Sequence, residues 1–288
     1  MDRPYYSRSG IVLVYKGVGV SSNAVVNKVK YLLGAKKCGH LGTLDLEGEG
    51  LLPVTVNKAT KLFDWFLNKT KTYQANFVFG VETDTLDSSG KVTHSMDCDI
   101  TESEVKRVLP QMIGKYKQVP PQFSAKKVNG KIAYKEARQG NVVQLQPKEI
   151  EIFDFRLIKK IDKNTFRFEI NCSSGTYVRS LARDLAEKLG TYGIMQCILR
   201  TRCDMFRLED AKTLEQLEKG KIEVVPCDKF FDFKSIKLDL KQAERAYNDG
   251  LSIDVDEENG KYKVYNDSDF LGIGEVVDKR LTFKLRLF

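Results

Sequence analysis

Histidine is nearly absent from this chain, with only His40 and His94 in 288 residues. The six cysteines (Cys38, Cys98, Cys172, Cys197, Cys203 and Cys227) are scattered, and none forms a Cys-x-x-Cys pair. That leaves no ligand set for a structural zinc, so no metal is expected and the thiols read as buried and reduced. No apolar run approaches the roughly 20 residues needed to span a bilayer. The first ten residues are polar, contain Arg3, Pro4 and Arg8, and lack the apolar core of a signal peptide. A cytoplasmic location without membrane contact is the expectation. Internal repeats and low-complexity tracts are missing. Lys16-Gly17-Val18-Gly19 is too short for a P-loop and lacks its closing Gly-Lys-Ser/Thr.

Positive charge is in excess. There are 47 Lys and Arg against 39 Asp and Glu, a net +8. The excess is uneven: residues 239–288 hold 8 basic and 11 acidic side chains, so residues 1–238 hold 39 and 28. An anionic partner would find its electrostatic seat in the first part of the chain. A solvated basic surface would have the same composition.

Hydrophobic period sets the elements. Ile11 to Tyr15 reads as a buried strand, followed by a helix that Ser21 or Ser22 can cap, with Val25, Val26, Val29, Leu32 and Leu33 on one face and Gly34 at its end. Tyr73 to Phe79 alternates as a strand does. Thr101 and Glu104 have capping-box spacing ahead of a helix through Val105, Val108, Leu109, Met112 and Ile113. Ile132 to Arg138 reads as a short helix. Val142 to Leu145, Ile150 to Ile158 and Phe166 to Cys172 read as strands, and Ser173 to Thr176 turns into a helix with Val178, Leu181, Ala182, Leu185 and Leu189 inward. Strands and helices mix without a βαβ rhythm, which implies an α+β fold with a mixed, largely antiparallel sheet flanked by helices. Residues 221–238 read as a linker or domain edge. A short helix ending near Gly250 and strands at Lys261 to Tyr265, Leu271 to Val276 and Thr282 to Leu287 form a small β-rich module. The expected domains are 1–230 and 231–288.

The densest motif is Gly39-His40-Leu41-Gly42-Thr43-Leu44-Asp45, with Gly48 and Gly50 close behind. A carboxylate on such a loop suits chemistry, although most loop aspartates only shape turns. Tyr177 and Arg179 open a helix, where the dipole disfavours a cation, so Arg179 calls for an anionic partner or else simply faces solvent. Tyr73 suits either a stacking platform or the core. Lys126, Lys127, Lys131, Lys135 and Arg138 interleave with Phe123 and Tyr134, as in a nucleic-acid surface or a solvated helix face.

Taken in order, these blocks resemble the TruB family, the tRNA pseudouridine-55 synthases. The resemblance rests on Lys16 with Gly19-Val20-Ser21-Ser22-Asn23, on Gly39-His40-x-Gly42-Thr43-Leu44-Asp45 with Gly50-x-Leu52-Pro53-Val54, and on Lys58-Ala59-Thr60-Lys61 and Lys71-x-Tyr73. It continues through Thr83-Asp84-Thr85-x-Asp87-x-x-Gly90, Pro120-Pro121-x-Phe123-Ser124-Ala125-x-Lys127-x-x-Gly130 and Cys172-Ser173-x-Gly175-Thr176-Tyr177-Val178-Arg179. It implies a pseudouridine synthase fold, a PUA-like RNA-binding tail, no cofactor, and isomerisation of one T-loop uridine of tRNA by a monomer without an obligatory protein partner. Asp45 is then the nucleophile, whether it adds to the uracil ring, adds to ribose C1′ or drives glycal formation. Arg179 pairs with Asp45, and Lys16 supports its loop. Tyr73 stacks on the base, Tyr177 is a second base-contacting aromatic, Ile198 packs against the base and His40 stands beside the flipped nucleotide. A tRNA folding chaperone without turnover, and a guide-RNA-directed enzyme, are the competing readings.

Three departures from the family pattern carry expectations. Lys16-Gly17 replaces Lys-Pro, which should loosen that turn. Leu44-Asp45-Leu46-Glu47-Gly48-Glu49-Gly50 replaces Leu-Asp-Pro-Leu-Ala-Thr-Gly, and its two glutamates should repel RNA unless they point away. Ile198-Leu199-Arg200-Thr201 replaces Leu-Arg-Arg-Thr, with one arginine fewer.

Overall fold

The computed structural model describes residues 6–67, 69–123, 127–128, 131–132, 145–267 and 269–288. Its main sheet is built on strands β1 (Gly10–Lys16), β2 (Cys38–His40), β3 (Glu49–Val56), β4 (Lys71–Phe79), β5 (Gly114–Gln118), β6 (Lys148–Lys160), β7 (Thr165–Cys172), β8 (Gly193–Cys203) and β9 (Lys212–Thr213). They run in the order β9-β1-β3-β8-β4-β7-β6-β5, with β2 paired to β3. Only the β1–β9 and β3–β8 pairings of that order are parallel. The rest are antiparallel, the mixed and largely antiparallel pattern expected from the element order.

Alternation decides which face of the sheet is buried. On β4, Tyr73, Ala75, Phe77 and Phe79 turn inward and meet Phe166, Phe168 and Ile170 of β7. Helix α3 (Val178–Lys188) covers them with Leu181, Ala182 and Leu185, all fully buried. A leucine side chain contributes about 1.5–3 kcal/mol when fully buried.

Helix α1 (Ser22–Leu33) starts at Ser21, whose hydroxyl accepts from the Ala24 amide at 3.1 Å, and stops at Gly34 in the left-handed region. Helix α2 (Glu102–Val108) carries the complete Thr101–Glu104 capping box. It ends earlier than its apolar spacing implies, tightening into a 3-10 turn at Leu109–Met112, because Pro110 has no amide to continue the ladder.

Two expectations meet the edge of the described residues. Ile132 is not helical but sits in a two-residue strand, its backbone pairing antiparallel with Lys127–Val128 instead of within a helix; 133–138 lie outside the described residues. Likewise 142–144 are outside them, and Leu145 belongs to no strand. The thiols are free, but Cys197 is exposed and Cys38 and Cys98 only half-buried, so just three of the six are buried. For Cys197 strand position explains this, since it lies at a register shift on β8 that turns it outward.

The segment 221–238 is a packed edge. Val225–Pro226 pairs with β1, and Cys227–Phe230 forms a 3-10 turn that buries Cys227 and Phe230. A second sheet follows: β10 (Lys234–Leu238), β11 (Ile253–Asp254), β12 (Gly260–Asn266), β13 (Asp269–Val277) and β14 (Arg280–Arg286), in the order β10-β12-β13-β14-β11. Phe230, Phe231, Ile273 and Leu287 share one apolar cluster with Ile11, Leu51, Leu62 and Phe66. Among the described residues no helix is long and apolar enough to cross a membrane.

Candidate active site

The loop between β2 and β3 presents Asp45, and both of its flanks are pinned. Ser22, buried at the start of α1, donates to the Leu44 carbonyl at 2.9 Å and accepts from the Leu44 amide at 3.0 Å. Of the two candidate capping serines, Ser21 caps the helix and Ser22 holds the loop. On the other side, Lys16 Nζ donates to the Leu46 carbonyl at 3.3 Å, and the Gly19 amide does so at 2.9 Å. Arg200, fully buried on β8, holds the loop from below, with Nε on the Leu51 carbonyl at 2.7 Å and Nη2 on the Gly42 carbonyl at 3.0 Å. Gly50 must be glycine for this approach: its φ is +108°, and a Cβ there would lie 2.5 Å from the Arg200 carbonyl oxygen. Gly17 is different, since its φ is not in the left-handed region and an added Cβ meets nothing within 4 Å. Gly17→Ala is therefore expected to stabilise the fold by about 0.4–1 kcal/mol through the unfolded chain, seen as a higher melting midpoint.

Arg179, at the start of α3, joins the loop to the rest of the fold. Its Nε lies 3.1 Å from Asp45 Oδ2. Nη1 donates to Asp87 Oδ2 at 3.2 Å and to the Thr85 carbonyl at 3.0 Å, while Nη2 donates to the Phe123 carbonyl at 3.1 Å. Asp87 is fixed in turn by the Thr85 hydroxyl at 2.7 Å and the Ser89 amide at 3.0 Å. The two carboxylates offset the unfavourable helix-start position of the cation. Asp45 keeps about half its side chain exposed while the Arg179 side chain is only 8% exposed, so the pair orients the carboxylate more than it stabilises the fold.

A cleft of about 360 Å³ opens over Asp45, within the usual range of small-molecule pockets. It is lined by His40, Tyr73, Tyr177, Arg179 and Ile198, and also by Phe63, Lys71, Phe123 and Arg200. Burial pushes the Tyr73 phenol up, with the Arg200 guanidinium pulling partly against it, so the phenol stays neutral. Tyr177 immediately precedes α3, and Gln118 brackets it by accepting from its amide at 2.9 Å and donating to its carbonyl at 3.2 Å. Burial lowers the Lys16 ammonium, with Asp45, Glu47 and Glu49 drawing it back up, so this buried cation faces the acids of the loop. Lys71 Nζ donates to Ser174 Oγ at 3.1 Å, and burial lowers its pKa as well.

His40 stays below the ordinary histidine value of 6.5, first through burial and then through the Arg200 charge. The unfolded chain therefore takes up this proton first, so stability from His40 is present above about 6.5 and declines as the pH falls through and below that value. His40→Gln should flatten the fall in melting midpoint between pH 7.5 and pH 5.5.

Neither glutamate of the altered loop lines the cleft. Glu49 accepts from the Tyr15 hydroxyl at 2.5 Å, a bond that raises the Tyr15 phenol to about 12, and Glu47 is exposed. The basic cluster lies mostly outside the described residues, which include Lys127 and Lys131 only as strand backbone. Sequence reasoning missed Ser22, Lys71, Asp87 and Arg200 as site residues. For Arg200 the signal was available, because a charged residue at an inward position of a strand needs internal acceptors. Among the described residues no group of three or more His, Cys, Asp or Glu could hold a metal ion.

The family model for TruB family pseudouridylate synthase (N terminal domain) matches residues 30–178. The chain belongs to the TruB family. TruB members are cofactor-independent RNA isomerases, and this chain is a pseudouridine synthase by family and fold. It is similar to tRNA pseudouridine synthase B of Caldanaerobacter subterraneus subsp. tengcongensis, 38% identical over 98% of this chain and 100% of that one. The Aquifex aeolicus protein of the same name is 37% identical over 93% of this chain and 95% of its own length. Beyond TruB itself, the fold is that of a chain in an H/ACA RNP bound to a substrate RNA containing 2′-deoxyuridine, with TM-score 0.67, 18% identity, and 97% and 85% coverage. The small second sheet is consistent with a PUA-like module on the TruB catalytic fold.

Proposed function

We propose that this TruB family member isomerises the T-loop uridine of tRNA, position 55, to pseudouridine, with Asp45 as nucleophile after the base has flipped out of its stack. The observation that carries the reading is the Asp45 carboxylate, held by Arg179 at 3.1 Å and half exposed to a cleft lined by aromatics. The names of the relatives support tRNA as the substrate. The bond from ribose C1′ to uracil N1 breaks, the detached base turns, C5 bonds to C1′, and the C5 proton leaves to solvent while N1 gains one.

In this reading Arg179 aims the carboxylate at the reacting nucleotide. Lys16 holds the loop beneath it. Tyr73 and Ile198 contact the uracil, Tyr177 is a second aromatic beside it, and His40 supports the opened loop. Residues 1–230 form the catalytic domain, and 231–288 form the RNA-binding module. The protein works as a cytoplasmic monomer, needing no partner protein, guide RNA or cofactor.

The test is a purified protein with an unmodified T-arm stem-loop carrying uridine tritiated at C5, and nothing else added. One equivalent of tritium released per RNA, with pseudouridine mapped to that one site, is the expected result. RNA binding without tritium release would favour a chaperone role and sink the proposal.

A further inference from the structure

Phe63 has no part in the roles assigned above, and its placement is unusual. It opens the short helix Phe63–Leu67, directly after the 3-10 turn Asn57–Leu62. The neighbours on that turn and helix are committed to the interior: Leu62 is fully buried and Phe66 is 2% exposed. Trp65, partly exposed, is committed too, packing edge-on to Phe231 with ring centres 4.9 Å apart. Phe63 is 45% exposed, belongs to no core cluster, and contacts no other ring among the described residues. It does line the cleft that holds Asp45 and His40.

We infer that Phe63 is a stacking platform for an unpaired nucleobase next to the target nucleotide, a substrate-binding residue beyond those already assigned. This rests on the reading of the cleft as an RNA site. A phenyl ring offers no hydrogen bond, so it cannot recognise a phosphate or a base edge. It can hold the π-face of a base, and such stacking tolerates any base identity. The cations around the cleft (Lys71, Arg179 and Arg200) are already bonded within the protein, so they anchor the loop rather than reach for that neighbouring base. Once the target uridine leaves its stack, the base beside it loses a stacking partner, and Phe63 supplies one. The contact favours an opened loop over a closed one without selecting its sequence.

The experiment is a coupling cycle on binding. Dissociation constants for the T-arm stem-loop are measured with the wild-type chain and with Phe63→Ala, Phe63→Leu and Phe63→Trp. Each RNA is used intact and with a single abasic site at each loop position in turn. Phe63→Ala and Phe63→Leu should weaken binding of the intact loop about tenfold, Phe63→Trp should restore it, and melting midpoints should report an intact fold. At one abasic position the penalty of Phe63→Ala should vanish, while swapping bases at that position changes little. In turnover the loss should appear in KM rather than kcat. If Phe63→Leu binds like wild type, or the penalties add at every position, the inference is wrong. Coupling without any pseudouridine formed would leave the stacking role standing and remove the proposed reaction instead. A wild-type chain that does not bind the stem-loop would overturn both.

Discussion

Asp45→Asn should abolish tritium release from C5-labelled T-arm RNA, a loss on the order of 10⁴-fold or more in kcat, while leaving RNA binding close to wild type. The amide keeps the shape of the carboxylate and can still accept a hydrogen bond from Arg179. It cannot supply the negative charge or the nucleophilic lone pair that the proposed reaction needs. Because Asp45 is half exposed and its ion pair is correspondingly screened, the melting midpoint should hardly move. That separation of activity from stability is the informative part. Asp45→Glu should also be severely impaired. The loop is fixed on both sides, at Leu44 by Ser22 and at Leu46 by Lys16, so it cannot retreat to make room for one more methylene. Retention of normal tritium release by Asp45→Asn would remove the nucleophile from this reading altogether.

Arg179→Lys should show the second-largest effect, with a different signature. A lysine restores one positive charge but not the planar fork that reaches Asp45, Asp87 and two carbonyls at once. We expect kcat to fall about 10²-fold from misdirection of the carboxylate, with less change in KM. Arg179→Ala should in addition cost about 3 kcal/mol of stability, because Asp87 is left without its counter-ion in a site where its side chain is only 14% exposed. Comparing the two variants in denaturant separates orientation from folding. Equal activity in Arg179→Lys and wild type would mean that the fork has no catalytic consequence.

The local elements were legible in the sequence because each has a local cause. Alternation placed Tyr73 and Phe77 inward, Thr101 and Glu104 marked a helix start, and Gly34 marked a stop. The candidate site was legible in part: a loop acid and a helix-start arginine could each be singled out. Their meeting could not be derived from spacing, because it depends on β8 inserting between β3 and β4, which brings α3 back over the loop. Only the family resemblance paired them. The role of Ser22 and the acceptors of Arg200 were hidden for a related reason. A serine at a helix start looks the same whether it caps or reaches 22 residues along the chain, and Arg200 finds its acceptors about 150 residues upstream. Phe63 carried no sequence signal, since an exposed phenylalanine acquires meaning only from the cleft it borders.

The apolar cluster shared by the two sheets bears on how the molecule comes apart. Phe230, Phe231, Ile273 and Leu287 are buried against Ile11, Leu51 and Leu62, so neither sheet can open without wetting the other's interior. Lys61 adds to this by donating to the Arg286 carbonyl at 3.3 Å, from the same turn that leads into Phe63. Heat should therefore melt the protein in a single cooperative step, with calorimetric and van't Hoff enthalpies in agreement, rather than shed the small sheet first.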